Sequence, residues 1–458
     1  MKNNPCRIAT SLVALGFMAM AGAQSINQES SANRLSIEVH VPRGLQGAVK
    51  PQQIRAAYAA LNANRGGGNT GGLNISTQSY NGFYLSPSLP FWTFNVLGSR
   101  DGDHHAGVMV GGDPFINPAS TSIPTYIVPL IFRTHTVATG IDANPADATY
   151  GQYTTKPGVT MIDPTKPDAN KCLARPNNVP IKVIQQSPIV NPAKFVFGGT
   201  DVGTTQYVDA FQRANFWNVL GNAGRQNYHV LLGPVITLSP VVIDVPATAG
   251  MAVTDPNFYE AAFGFSFCAP IQFVDINWFD SYLTGTVLPA LAEQGVGPTT
   301  FPVFISYNAA WPIGDVTSIF NCCAAGYHSD TGVPILNQTY GVADFDTTGW
   351  FEGPANGLLT SDLSHEVAEW MNDPFGSNET APWGDTGQVS GCQANLEVGD
   401  PLTGSDVAPV TMPNGFTYSL QELAFFSWFF GAPSIGVNGW FSDNGTFTTD
   451  AGPNCPTS

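Results

Sequence analysis

"SDLSHEVAEWMNDP", residues 361–374, decides how the rest of the chain is read. It contains His365-Glu366-Val367-Ala368-Glu369, the His-Glu-x-x-His signature of zinc proteases with a glutamate where the second histidine belongs. Thr360 or Ser361 can cap a helix here, and Asp362 suits its first turn. Asn372-Asp373-Pro374 ends it, because the residue before a proline avoids helical angles. His365 and Glu369 are four residues apart and so lie on one face, one above the other. Leu363, Val367 and Met371 fall elsewhere and can face a core. Two ligands a turn apart on a rigid helix are what a metal needs, and Glu366 is placed to bind the water that the metal activates. The flanks "DLS", "VA" and "WM" are mostly uncharged, unlike a solvated helix face.

A third ligand is needed. The metzincin arrangement puts a histidine six residues after the second ligand; that place is Phe375, so this class is excluded. A downstream glutamate is the gluzincin solution, and "CQANLEVGDPL" offers Glu397, 28 residues after Glu369, with Asp400 beyond it. His328 in "NCCAAGYHSD" is an upstream alternative. Cys322 and Cys323 precede His328 and Cys392 precedes Glu397, so a disulfide between these loops is expected to draw both candidates towards the helix.

"LSHEVAEWMNDP" followed by "LEVGDPL" resembles the plant phosphate-induced protein 1 (EXORDIUM) family and its bacterial relatives. Those proteins carry a His-Glu-Leu-Ala-Glu helix ending in an Asn-Pro or Asp-Pro step, then a short acidic segment with a Glu and an Asp. "CCAAGYH" is similar to their Cys-rich Gly-aromatic-His segment. The resemblance covers about residues 300–430 and is specific over the helix and the acidic segment. It implies a secreted protein in which His365, Glu369, Glu397, Asp400 and His328 act as a unit.

One histidine with two carboxylates selects zinc less strongly than two histidines with one, and carboxylate oxygens also suit manganese or calcium. Two anionic ligands leave zinc near neutral, which weakens its acidification of bound water. Zinc-dependent hydrolysis and a structural metal are therefore the two readings that the motif leaves open.

Outward from the helix, the chain reads as an exported protein. Lys2 and Arg7 give a positive start before a short apolar core, "IATSLVALGFMAMAGA", and "AGA" before Gln24 fits signal cleavage, so residues 1–23 are expected to be a signal peptide. No later run is long and apolar enough for a membrane span. Acidic residues outnumber basic ones 34 to 17, which argues against nucleic acid as a partner because phosphates need a basic face. Beyond Cys6, the six cysteines Cys172, Cys268, Cys322, Cys323, Cys392 and Cys455 suggest disulfides in an exported chain.

"LSIEVHVP" alternates like a strand, "PQQIRAAYAALNANR" like a short helix, and "GGGNTGGLNIST" reads as a linker, so residues 24–80 form an expected N-terminal extension. Gly66, Gly68 and Gly71 match G-x-G-x-x-G without a strand-turn-helix context and are not a nucleotide site. Residues 81–458 read as one large α+β domain with many short strands and long loops, a zincin-like metal helix packing on a mixed sheet. "TYIVPLIFRTHTVA", "YHVLLGPVITLSPVVIDV" and "TTFPVFISYNAAW" look like strands; "TTQYVDAFQRANFWNVL" and "FDSYLTGTVLPALAEQ" look like helices.

Other candidates weigh less. "DFDTTG" (Asp344, Asp346, Thr348, Gly349) begins like a calcium loop, but position twelve is Ala355, so a turn is the better reading. Asp101, Asp103, His104 and His105 sit on a Gly-rich turn and read as exposed. His135 reads as structural; His40 and His229 have no evident partners. The aromatic tail "YSLQELAFFSWFFGAPSIGVNGWFSDNGTF" is more simply core than a carbohydrate platform. The leading expectation is a secreted, periplasmic or extracellular, zinc metallopeptidase-like hydrolase. His365, Glu369 and Glu397 are its ligands, Glu366 its general base, and Asp400 or His328 completes the shell. Its substrate is an extracellular peptide or cell-wall amide. The alternative is a non-catalytic extracellular or cell-surface protein with a structural metal.

Overall fold

The apolar runs pair around one long strand. The computed structural model describes residues 75–81 and 88–455, except 117, 142–145, 150–152, 174–177, 256, 258–266, 318–322, 333–336, 352–357, 432 and 453–454. The signal-peptide residues, the strand and helix expected before residue 66, Gly66, Gly68, Gly71, His40, Cys6, Cys322 and Ala355 lie outside the described residues. Strands β1 (Ile75–Asn81), β2 (Pro90–Leu97) and β3 (His104–Val110) make an antiparallel sheet. That sheet reaches back into the end of the segment read as an extension.

"TYIVPLIFRTHTVA" lies inside β4 (Ser120–Ile141), a strand of 22 residues. β5 (Tyr153–Met161) pairs antiparallel with its second half. A separate hairpin, β6 (Ala193–Phe197) and β7 (Thr200–Thr205), follows. β8 (His229–Thr237), β9 (Val241–Val245) and β10 (Gly250–Val253) then add to β4 in parallel. The main sheet is completed by β11 (Ile271–Val274), β12 (Phe301–Tyr307), β13 (Ala309–Ala310), β14 (Gly326–Asp330) and β15 (Thr339–Phe345). Its order is β13-β11-β10-β4-β12-β15-β14. The sheet is mixed: β12 and β15 run parallel to β4, while β14 closes the edge antiparallel.

Side chains alternate across this sheet with period two. Ile127, Val303, Ile305, Ala343 and Phe345 enter one core, and Val128, Phe304 and Val342 enter the other. Helices cover both faces. After α1 (Pro180–Gln185), the stretch read as one helix is two, α2 (Tyr207–Asn215) and α3 (Trp217–Asn227). Phe216 breaks it, leaving helical angles at φ −107° where its ring packs on Trp92, Phe115 and Phe426. On the opposite face, "FDSYLTGTVLPALAEQ" contributes to α4 (Ile276–Tyr282), a π turn at Leu283–Val287, and α5 (Leu288–Ala292). Pro289 lacks the amide that would continue a regular ladder, and the wider turn precedes it.

The opening stretch is helix α6 (Ser361–Asn372), lying over β14 and β15. It ends as expected at Asp373-Pro374, but its start differs from expectation. Thr360 occupies the N-cap position without capping; its hydroxyl donates instead to the Ser419 carbonyl at 2.6 Å. That bond ties the helix start to β20 (Thr417–Ser419), which pairs with β16 (Leu358–Leu359) and β19 (Val410–Thr411). Between them runs the irregular hairpin β17 (Glu379–Thr386) and β18 (Val389–Asn395). The aromatic tail is core: Phe425, Phe426, Phe429 and Phe430, the last three in α7 (Phe426–Phe430), are fully buried.

Disulfides join Cys172 to Cys268 and Cys392 to Cys455. The expected bridge from Cys322 or Cys323 to Cys392 is therefore absent, because Cys392 is already paired. His328 reaches the helix by β-sheet register instead, as β14 pairs with β15 beneath α6. Among the described residues no helix is long and apolar enough to cross a membrane.

Candidate metal centre

On α6, the four-residue spacing brings His365 Nε2 to 2.9 Å from Glu369 Oε2. Asp400, which opens a short 3-10 turn at Asp400–Leu402, places Oδ1 3.4 Å from the same nitrogen. The other ring nitrogen, Nδ1, faces Gln421 Oε1 at 3.1 Å. Gln421 donates its amide to the Gly399 carbonyl, so its oxygen is the acceptor and His365 Nδ1 carries the hydrogen. Nε2 is thereby aimed at the two carboxylates, as the ring of a metal-ligating histidine is aimed by its outer partner. Burial opposes charge on this ring, but the Glu369 charge and hydrogen bonds to Asp400 and Glu369 outweigh it and hold its pKa well above the usual range.

His328 approaches from β14. Its Nε2 lies 3.0 Å from the Asp373 carbonyl, which can only accept, so this nitrogen carries a hydrogen. Nδ1 is left facing Glu366 Oε2 at 3.5 Å and Glu369 Oε2 at 3.8 Å. These separations exceed a good charge-assisted hydrogen bond. Glu366 Oε2 is buried and has no hydrogen-bond partner. Burial pushes the Glu366 carboxyl up to about 8, with Asp400 adding to the rise and His365 opposing it. Burial likewise raises Glu369, against the His365 charge.

The backbone and amide side chains hold these groups in place. Glu369 Oε1 accepts from the Gly399 and Asp400 amides at 3.0 and 3.2 Å, which leaves Oε2 for the histidines. Gln393 donates to Asp400 Oδ2 at 2.9 Å and Gln388 to Oδ1. Asn395 donates to Glu397 Oε1 at 2.8 Å, and Glu397 Oε2 lies 3.9 Å from His328 Nε2. Two glycines make the room: a Cβ on Gly399 would sit 2.5 Å from His365 Nδ1, and one on Gly326 would sit 2.8 Å from Glu366 Cγ.

All six residues singled out in the sequence thus meet in one buried place. Two groups have ligand atoms within 4.8 Å of one another: His365, Glu369 and Asp400, and His328, Glu366 and Glu369. Asp400 stands beside the α6 pair, while Glu397 meets His328 and Asn395. Gln421, Gln388, Gln393, Asn395, Gly326 and Gly399 carry no motif, and nothing in their spacing points to them. "Gly-Asp" at 399–400 is the one local hint, since a glycine beside an acid permits close approach.

The lesser candidates resolve as local structure. His105 pairs with Asp101 at 2.9 Å and packs on Phe430, while His104 bonds Asn95. Asp346 accepts from the amides of Thr348 and Trp350, which makes the expected turn. His229, read as lacking a partner, has one: Nδ1 is 2.7 Å from buried Asp209, with Arg213 at 3.3 Å from Nε2. Arg213 occupies the nitrogen that a catalytic serine would need. No protein-family profile, curated protein or solved structure matches the chain.

Proposed function

We propose that the chain is an exported metal-dependent hydrolase of zincin type, acting on amide bonds of an extracellular peptide or cell-wall polymer. The observation that carries this reading is the orientation of His365: Gln421 takes one nitrogen, and the other faces Glu369 and Asp400. Those three residues would hold the ion and Glu366 would hold the attacking water. Glu397 and His328 would support the shell. Zinc suits the imidazole; the richness in carboxylates also suits manganese or calcium. The signal-like start, the Cys172–Cys268 and Cys392–Cys455 disulfides and the resemblance to the phosphate-induced protein 1 family support export.

Burial favours a second reading. His365 and Glu366 are each 6 % exposed, and Glu397 and Asp400 are fully buried. A metal there would clamp α6, β14 and the 397–402 segment without reaching a substrate. Elemental analysis and turnover together separate the two. For the hydrolase, Glu369→Ala loses metal, whereas Glu366→Gln abolishes cleavage of a peptide or peptidoglycan library while metal stays with His365, Glu369 and Asp400. A parent protein that binds metal, is stabilised by it and cleaves nothing supports the clamp.

A further inference from the structure

We infer that the centre takes two divalent cations bridged by Glu369, the first held by His365, Glu369 and Asp400 and the second by His328, Glu366 and Glu369. The inference rests on reading α6 as a metal helix and deepens that reading. The two histidines fall in different ligand groups, and Glu369 is the one member common to both. Each ring has one nitrogen committed to an amide acceptor, Gln421 Oε1 for His365 and the Asp373 carbonyl for His328. The remaining nitrogen of each faces carboxylates, which is the arrangement of a ligand with its outer partner in place. Glu369 Oε1 is satisfied by two backbone amides, so Oε2 serves both histidines.

The second position has its own signature. His328 Nδ1 sits 3.5 Å from Glu366 Oε2 and 3.8 Å from Glu369 Oε2, and Glu366 Oε2, buried and without a hydrogen-bond partner, is aimed into that gap. Two buried carboxylates around an imidazole's free nitrogen make a ligand set for a divalent cation. Among the described residues, the ion-pair partners of Glu366, Glu369 and Asp400 are His328 and His365. Mixed imidazole and carboxylate sets suit zinc or manganese. Glu366 coordinates through Oε2 and keeps Oε1 for water.

The test is calorimetric titration of the full mature chain, stripped with chelator, using zinc and then manganese salts, with elemental analysis of the product. Two equivalents per chain are expected, falling to one in His328→Ala and to none in Glu369→Ala. In the manganese-loaded parent, electron paramagnetic resonance should show exchange coupling between the ions, which needs no variant. One equivalent in the parent overturns the second cation and leaves the α6 site standing. No binding at all overturns both. Two equivalents that persist in His328→Ala overturn the assignment of the second position.

Discussion

Trp370 lies flat on Phe301, ring centroids 3.5 Å apart and planes 11° from parallel. Its indole nitrogen donates to Thr339 Oγ1 at 2.9 Å. Trp370 follows Glu369 directly, so these two contacts set the rotation of α6 over β12 and β15 and with it the aim of the shared carboxylate. Truncation to alanine should cost about 3–5 kcal/mol of stability. Trp370→Phe keeps a stacking ring and loses the indole bond and the second ring's volume, costing about 1–2 kcal/mol. Urea unfolding of the two variants measures both; equal losses would show that the stack contributes little.

Gln421 touches no carboxylate of the centre, yet it fixes which nitrogen of His365 faces them. Gln421→Ala should weaken metal binding by about 10–100-fold, the usual effect of losing an outer partner of a histidine ligand. Calorimetric titration against the parent measures it. Unchanged affinity would mean that packing alone orients the ring.

Stability should fall as pH rises through the neutral range, and Asp443 is one cause. It is fully buried, accepts from the Tyr207 hydroxyl at 2.8 Å and the Leu423 amide at 3.0 Å, and burial pushes its carboxyl up to about 8. In the unfolded chain it ionises near the ordinary 3.8. Below that value both states hold the proton and stability is unaffected. Between about 4 and about 8 the unfolded chain has released a proton that the folded chain keeps, so each step up in pH favours unfolding. Above about 8 the penalty is constant. Thermal unfolding across this window should show a shallower slope for Asp443→Asn than for the parent; identical slopes would refute the assignment.

The Cys392–Cys455 bridge spans 63 residues and pins β18, from which Gln393 reaches Asp400 and Asn395 reaches Glu397. Replacing both cysteines by serine should cost about 2–5 kcal/mol in chemical unfolding. The same variant should bind metal less tightly, because the amides behind two carboxylates are loosened. Loss of stability with metal affinity intact would confine the bridge to a purely structural part.

Local signals carried much of the architecture. The proline after Asp373 marked the helix end, and the short apolar run in "TTFPVFISYNAAW" marked a strand, which is buried on both faces. The face shared by His365 and Glu369 followed from helical geometry alone. What could not be read was non-local. Phe216 breaks a helix because of rings contributed by Trp92, Phe115 and Phe426, none of them its sequence neighbours. Spacing favoured Glu397 as the third ligand with Asp400 behind it, whereas the turn after Gly399 brings Asp400 to His365 and leaves Glu397 beside His328. The disulfide pairing misled for the same reason: proximity in sequence to two site residues says nothing about where Cys392 points.

Gly326 and Gly399 have no side chain to offer an ion, yet each stands where any side chain would collide with Glu366 or His365. A mutation at an outer amide can be repaired by another donor; a methyl group in either gap cannot. Descent should therefore be most visible at these two silent letters. A distant cousin that still builds the centre will show Gly-x-His on an edge strand, His-Glu-x-x-Glu on the helix above it and Gly-Asp at the turn beyond. A protein with the helix motif but bulk at either glycine will have lost the centre, however closely the rest of its sequence agrees.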